Sequence, residues 1–566
     1  MHGILGYIYH GRAVSQAQLR LGHQALYRLC PQQTTHSNYA RKTGARAMAT
    51  SGESQTVQKR AVAGSFIFKI PNGDNKQAQV GLFRRSSKVR TYQHKLAPCA
   101  GSVESYDASP LATALREIQE ETTLPASSVD LLRVGKPYTF TDEAIGREWA
   151  INPFAFRLKD ITEGGKGEEG IVLDWEHKDI EWFDPLQVNS SDEFGGVPRL
   201  VDSLRRVWPE YDLGPKAGPI LTEGLQRLRD DHEHGARELA SIAVSTLRNV
   251  VCQVALSHPI DESWWSNVRM AAWHISQSRP SMGAAITNAM IKALGAIESV
   301  YLADATAEDK IKLITQALDQ QLAQRLSMTD RVCQSLTEHM RKNILRGGEF
   351  EKTVSVLTLS SSSTISSSLL RATSTLGVAL DLHVLESRPL CEGVTLASRI
   401  LNDRPHDSHT NVTIYSDASV ALAARGVDIV LLGADRISSA GDVNNKIGSL
   451  PAVLAARYVN PKVKVLVLSD TEKIAGPGST EEHGSEENHP SELTRAWKGT
   501  VKGAEAVEDA LSRDDPKVAV KNAYFEWVPA HLIDAYATEE GLWSTKQIQQ
   551  MSEQVANETE HYFEGL

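Results

Sequence analysis

Cysteine is scarce in this 566-residue chain. Cys30, Cys99, Cys252, Cys333 and Cys391 are widely spaced, odd in number and never part of a CxxC pair. That excludes a disulfide framework and a thiolate zinc site, and it fits a reducing compartment. Long apolar runs are missing too. Stretches such as Val463–Leu468 fall far short of the roughly 20 residues a membrane helix needs, so no membrane partner is expected. There is no excess of positive charge: 60 Lys and Arg against 70 Asp and Glu leave a net charge of −10. This argues against nucleic acid as a partner and leaves room for a small anion in a local basic pocket. Acid is absent ahead of Glu53, where Arg12, Arg20, Arg28, Arg41, Lys42 and Arg46 occur. A basic, acid-poor N-terminus is the pattern of an organelle transit peptide; the alternative is that translation starts at Met48. The protein is therefore expected to be cytoplasmic, or mitochondrial if residues 1–47 are such a peptide.

Hydrophobic residues make up 41% and charged residues 23%, ordinary for a soluble globular protein, and the length calls for two or three domains. Residues 1–58 are expected to be a disordered or targeting segment. Over 59–212, strand-like runs (Gly64–Ile70, Gln79–Phe83, Ala150–Phe156, Ile180–Phe183) flank one strong helix at Pro110–Thr122, which reads as an α+β domain. The Pro/Gly-rich Pro209–Pro219 is the expected boundary. Residues 213–350 read as a helical subdomain. From 351 to 566, continuous apolar runs (Val354–Leu357, Leu382–Leu385, Val412–Tyr415, Val427–Leu432, Val463–Leu468) alternate with helices. That pattern predicts a doubly wound α/β, Rossmann-like parallel sheet covered on both faces. Residues 472–492 read as an acidic loop.

The helix Leu111–Leu124 (LATALREIQEETTL) has Glu117, Glu120 and Glu121 on one face and Leu111, Leu115 and Ile118 roughly opposite. Three carboxylates at i, i+3 and i+4 repel one another, and a hard divalent cation, Mg²⁺ or Mn²⁺, would relieve the repulsion. With Gly101 and Arg116, the stretch resembles the Nudix hydrolase box, G-x5-E-x7-R-E-U-x-E-E-x-G-U, through Gly101, Arg116, Glu117, Ile118, Glu120, Glu121 and Leu124. The likeness extends to LFRRS (Leu82–Ser86) and EWFDP (Glu181–Pro185). One residue is inserted between Gly101 and Arg116, so the first box acid is Asp107, with Glu104 as the substitute; Thr123 stands where the box has glycine. The resemblance implies hydrolysis of a nucleoside-diphosphate-linked compound. It makes Glu117, Glu120 and Glu121 metal ligands, gives one acid the role of general base, and has Arg84 and Arg85 contact phosphate.

In the last third, VLTLSSSST (356–364), ESRPLCEG (386–393) and GADRI (433–437) with GDVNNKIG (441–448) all close strands, where open α/β sheets place ligands. Together with HGARELA (234–240), SRPSMGAAI (278–286), EENHPSEL (486–493) and Val528–Gly541 they resemble a known family. It unites the regulatory subunits of the exchange factor for translation initiation factor two with the methylthioribose-1-phosphate and ribose-1,5-bisphosphate isomerases. The resemblance implies that Arg279, Arg388, Asn445 and Lys446 bind a phosphorylated sugar or nucleotide and that Asp435 is the proton-transfer acid. It also implies assembly into at least a homodimer. The catalytic cysteine of those isomerases falls near Ser360, where this chain has only serines, and His489 replaces an acid.

The combined expectation is a metal-dependent Nudix pyrophosphohydrolase fused to an isomerase-like module that binds a sugar phosphate or nucleotide. The alternatives are a non-catalytic regulatory or assembly protein related to the exchange factor, or an active aldose-phosphate isomerase.

Overall fold

The computed structural model describes residues 58–71, 77–231, 234–279, 282–345, 353–404, 409–478, 488–513 and 517–566. The expected targeting segment, up to residue 57, lies outside the described residues, as do parts of two motif segments (280–281 and 486–487).

The first unit is a mixed eight-stranded sheet. Its strands are β1 (Gln58–Lys69), β2 (Gln79–Arg85), β3 (Leu96–Ala97), β4 (Cys99–Ser102), β5 (Val129–Val134), β6 (Tyr138–Asp142), β7 (Arg147–Leu158) and β8 (His177–Phe183). The order is β3-β2-β1-β7-β5, with β4 on β1, β6 on β7 and β8 on β2. Period-two alternation splits β1 between the two faces. Ala63 and Ile67 join Phe83, Phe154 and Phe156 beneath helix α1 (Pro110–Thr122), while Phe66 and Phe68 pack with Leu204, Val207 and Trp208 of the α2 (Leu200–Val207) side. The result is a sheet sandwiched between helices, with α1 alone on the face of the carboxylates. Strands β3 to β6 are short or weakly apolar and have no sequence counterpart in the periodicity.

The segment Pro209–Pro219, expected as the domain boundary, is largely helical. Helix α3 (Glu210–Asp230) is interrupted only at Gly214, whose φ of 71° breaks the turn, and Pro215 then opens the second segment. Proline tolerates a first helical position because its missing N–H has no partner to lose there. Phe68 stacks on Trp208 at 4.6 Å, and Arg133 holds Glu210 at 2.9 Å, so this helix is tied to the sheet.

Helices α4 (Ala236–Ala255), α5 (Glu262–Gln277), α6 (Gly283–Tyr301) and α7 (Ala307–Leu326) follow around one apolar core, and α8 (Met328–Asn343) packs Val332, Leu336 and Met340 into the core of the unit that comes next. The last unit contains β9 (Thr353–Thr358), α9 (Ser363–Leu376), β10 (Ala379–Leu385), α10 (Glu392–Asp403), β11 (Thr410–Tyr415), α11 (Val420–Ala423), β12 (Ile429–Leu432), β13 (Arg436–Ile437), β14 (Val443–Lys446), α12 (Ser449–Val459) and β15 (Lys464–Leu468). After them come α13 (Ser491–Thr494), α14 (Ala504–Ser512), β16 (Phe525–Val528), β17 (Ala535–Thr538), β18 (Gly541–Trp543) and α15 (Thr545–Phe563). The main sheet has the order β11-β10-β9-β12-β15-β17-β18, parallel except for the β17–β18 hairpin. Strand order reverses between β9 and β12, and that switch point is the crevice where doubly wound sheets take ligands. A small antiparallel sheet, β13-β14-β16, stands beside it. Helix α15 returns Val555, Tyr562 and Phe563 to the core of the helical unit. Among the described residues no helix is long and apolar enough to cross a membrane.

Candidate functional site

The geometry of the first site begins at the N-terminus of α1. Ser109 caps it by accepting the Ala112 N–H at 3.2 Å, and Pro110 occupies the first helical position. Two turns on, Arg116 acts as a hub. Its Nε and Nη2 donate to both oxygens of Asp107 at 3.1 and 2.9 Å, its Nη1 donates to Glu117 at 2.6 Å and Glu120 at 3.1 Å, and its Nη2 reaches the Ser102 carbonyl at 3.2 Å. The acid opposite the arginine is thus Asp107; Glu104 contributes only its backbone N–H to that carboxylate. The Arg116 guanidinium holds the Asp107 carboxyl down at about 2. Gly101 lies against this cluster so closely that a Cβ there would sit 1.9 Å from the Glu117 carboxyl group, which would have to swing aside to admit it. Thr123 ends the helix with φ 56°, its N–H donating to the Gln119 carbonyl, in the left-handed conformation that glycine normally supplies.

The three glutamates do not converge. Among the described residues no group of three His, Cys, Asp or Glu side chains is arranged to hold a metal ion. The Glu117 side chain is 13% exposed and Glu120 59%, while Glu121 is turned inward at 4%. Glu121 meets His177 Nε2 of β8 at 2.7 Å and accepts the Ala100 N–H at 3.2 Å. Burial pushes the Glu117 carboxyl up to about 7, helped by the negative charge of Glu121 and Glu120 and opposed by Arg116. Burial also raises Glu121, against the pull of His177, and raises the adjacent Cys99 thiol. One arginine therefore leaves this cluster short of positive charge. Hard carboxylate oxygens with an unmet need for a cation are chemically suited to Mg²⁺ or Mn²⁺.

Arg84, expected to contact phosphate, lies opposite Asp179 in the register of β2 on β8. Arg84 bonds to Glu181, lies 3.5 Å from Asp179 and donates to the His94 carbonyl at 3.2 Å. Its charge is already met. Arg85 donates to the Thr91 carbonyl at 3.2 Å.

The second site lies at the switch point. Ser360, at φ 69°, donates its N–H to Ser387 Oγ at 2.8 Å, and the N–H groups of Ser387 and Arg388 donate to the Asp417 carboxylate at 2.9 and 2.7 Å. The loops after β9, β10 and β11 are thereby laced together. A Cβ at Gly433 would come within 3.3 Å of Asn445 Oδ1 and 3.8 Å of Ser362 Oγ, which brings the loops after β9 and β12 against β14. Asn445 donates to Ser449 Oγ at 2.8 Å. Lys446, nearly buried, pairs with Glu392 at 2.8 Å and sits over the rings of Tyr524 and Phe525. Asp435 follows β12; burial raises its carboxyl, and Lys473 and Lys446 oppose the rise. Ser360, Arg388, Asp435, Asn445 and Lys446 thus share one crevice. The Arg279 guanidinium donates to the Asp231 carbonyl in the helical unit. His489 bonds to Ser491 beyond the crevice loops.

Sequence reasoning missed His177, whose link to Glu121 spans 56 positions. Its only sequence signal is its place three residues ahead of the apolar run that starts at Ile180.

These two sites define a Nudix-type hydrolase unit followed by a doubly wound unit whose polar side chains gather at the switch point. The NUDIX domain matches residues 65–204, and the initiation factor 2 subunit family matches residues 232–545, more than half of the chain. The chain belongs to the initiation factor 2 subunit family and carries a NUDIX domain ahead of that region. It is 33% identical over 175 residues to methylthioribose-1-phosphate isomerase of Rhodopirellula baltica, covering 30% of this chain and 44% of that protein. With the Yarrowia lipolytica isomerase of the same name it is 30% identical over 217 residues, 36% of this chain and 55% of that protein. The chain spans about half the length of these curated relatives. The structure of translation initiation factor eIF-2B from Pyrococcus horikoshii OT3 aligns with 18% identity and a TM-score of 0.40, covering 57% of this chain and 96% of that one.

Proposed function

We propose that the protein is a metal-dependent Nudix pyrophosphohydrolase acting on a nucleoside-diphosphate-linked compound, fused to a module that binds a sugar phosphate or nucleotide. The observation that carries this reading is the Arg116 hub, which gathers Asp107, Glu117 and Glu120 beside Gly101. Mg²⁺ or Mn²⁺ bound by the outward carboxylates would neutralise phosphate charge and acidify a water. The chain's own part is to hold those carboxylates. Arg116 fixes their rotamers, and one of these acids or a loop acid would take the proton from that water.

The test is turnover of ADP-ribose, diadenosine polyphosphates and NDP-sugars with Mg²⁺. Glu120→Gln is expected to lower kcat/KM on the order of 100-fold, about 2.7 kcal/mol of transition-state stabilisation. Undiminished turnover in the variant, or none in the wild type, would refute the hydrolase reading.

For the second module a specific observation favours binding over isomerisation: Ser360 stands where proton transfer calls for a thiol. A serine hydroxyl is a far weaker acid than a thiol, whose ordinary pKa is about 8.5. Titration with ribose-5-phosphate should show saturable binding, lost in Lys446→Ala, with no change in the sugar. Conversion of an aldose phosphate that disappears in Asp435→Asn would establish the isomerase instead. Co-purification with translation factors, without turnover at either site, would establish the regulatory alternative.

A further inference from the structure

On the seam between the first unit and the helical unit, some cations meet a carboxylate: Arg133 lies 2.9 Å from Glu210, and Arg205 donates to Asp212 at 2.8 Å. Three others do not. Lys136 sits in the turn between β5 and β6, which Gly135 presses onto the end of α2: a Cβ on Gly135 would come within 2.8 Å of Val207 Cγ1. Arg206 of α2 donates to the backbone carbonyls of Lys136 at 3.4 Å and Leu566 at 2.7 Å. Arg269 of α5 donates to the Tyr562 carbonyl at 3.4 Å, and its Nε is buried with no hydrogen-bond partner. Lys136 Nζ has no hydrogen-bond or ion-pair partner among the described residues. The two guanidinium groups are held by rings, 4.5 Å over Tyr138 and 5.8 Å over Trp265, contacts that orient a cation without cancelling its charge. Burial pushes all three groups down, and Lys136 is pushed further by Arg206 and Arg269, opposed by Glu564 alone. Asp202 acts on Arg206, and Glu298 and Glu262 on Arg269, each from beyond ion-pair distance. Backbone carbonyls satisfy donors but carry no net charge, so the seam keeps an unmet need for an anion.

We propose that Lys136, Arg206 and Arg269 form a binding site for a phosphate group, placed between the first unit and the helical unit and separate from both the carboxylate helix and the switch-point crevice. A phosphate dianion offers several acceptor oxygens, which suits one ammonium and two guanidinium groups at once, and charge-assisted bonds of this kind are the strong ones. The site needs neither a divalent cation nor an occupied crevice.

The experiment is equilibrium dialysis of the full chain against inorganic phosphate, with a chelator to exclude divalent cations and NaCl to hold the ionic strength. The Lys446→Ala chain is the reference, so that binding in the switch-point crevice is removed from the reading. It should bind one phosphate per chain, and adding Lys136→Met or Arg269→Met should raise the Kd at least tenfold. The rise in melting temperature that phosphate gives the reference should shrink in the same variants, a ligand dependence that a purely structural cluster would not show. No saturable binding in the reference chain, or a Kd that both variants leave unchanged, overturns the proposal. If neither variant folds, Glu564→Gln decides, because that side chain is exposed. Removing the facing carboxylate should tighten phosphate binding at least threefold, and unchanged or weaker binding overturns the proposal. Competition with AMP and ribose-5-phosphate separates the sources. Displacement at concentrations below the phosphate Kd supports a site for a phosphomonoester, and weaker or no displacement supports a site for free phosphate.

Discussion

Thr123 shows what a single residue costs at this site. It is β-branched and held at φ 56°, a region where an L-residue other than glycine, Asn or Asp is strained by about 1–2 kcal/mol. Its hydroxyl recovers little, reaching the Gly170 carbonyl at 3.4 Å. Thr123→Gly should therefore raise stability by about 1 kcal/mol, measurable as a shift in the urea midpoint at constant slope. A destabilised variant would mean that the Thr122–Leu124 turn is held by more than its backbone. His274 is a second case. It is buried in α5, and burial pushes its imidazole down to about 3, helped by the positive charge of Arg133 and Arg206. The unfolded chain takes up a proton on this residue below pH 6.5, whereas the folded chain does so only near 3. Its contribution is thus complete above pH 6.5 and is lost as pH falls, at about 1.4 kcal/mol per unit. Replacing it, as in His274→Phe, should flatten the fall of stability between pH 6.5 and 4.5; denaturant melts across that range with an unchanged slope would refute the assignment. The residue-level legibility of the site follows the same logic of distance. Arg116, Glu117 and Glu120 meet within one helix, so spacing reveals them. The partners of Arg84 and Glu121 lie on β8, and only strand register can supply them.

At the scale of elements, periodicity carried the sequence a long way. The carboxylate helix spans Pro110–Thr122 as its cap, its proline and its apolar stripe dictate, and the continuous apolar runs became parallel strands. Periodicity says nothing of which acids are buried. At the start of the acidic loop 472–492, Glu472 is 2% exposed and bonded through both oxygens at 2.6 Å to Arg325 of α7, itself 2% exposed. Arg237 of α4 likewise meets Asp470 at 2.9 Å. The partners are more than 140 positions apart, so composition cannot show that the acids are paired. These pairs fasten the helical unit to the strand-end loops of the parallel sheet. Glu472→Gln leaves a buried guanidinium without its counter-charge and should cost roughly 3–5 kcal/mol, read as a lowered melting temperature. Replacing both partners by apolar residues of similar size should cost less than the single change; an equal or larger loss would show that the pair does more than neutralise itself.

For the whole molecule, the expectation that remains open is assembly. Val394 and Leu401 of α10 lie seven positions apart, hence on one helix face, and are 45% and 46% exposed; Leu390, just ahead of the helix, is 49% exposed. The opposite face, with Leu396, Ala397 and Ile400, is buried. This helix flanks the loop that carries Arg388, and its Glu392 pairs with Lys446, so a second copy seated on the outward face would bring two switch-point crevices near one another. An apolar stripe left in water is the pattern of a surface that is covered in the working assembly. The 62.0 kDa chain should therefore sediment as a dimer or larger at micromolar concentration. The double variant Val394→Asp with Leu401→Asp should sediment as a monomer of unchanged melting cooperativity, because neither side chain supports the core. A wild-type chain that is monomeric at those concentrations would refute assembly, and a double variant that stays oligomeric would move the contact to another face.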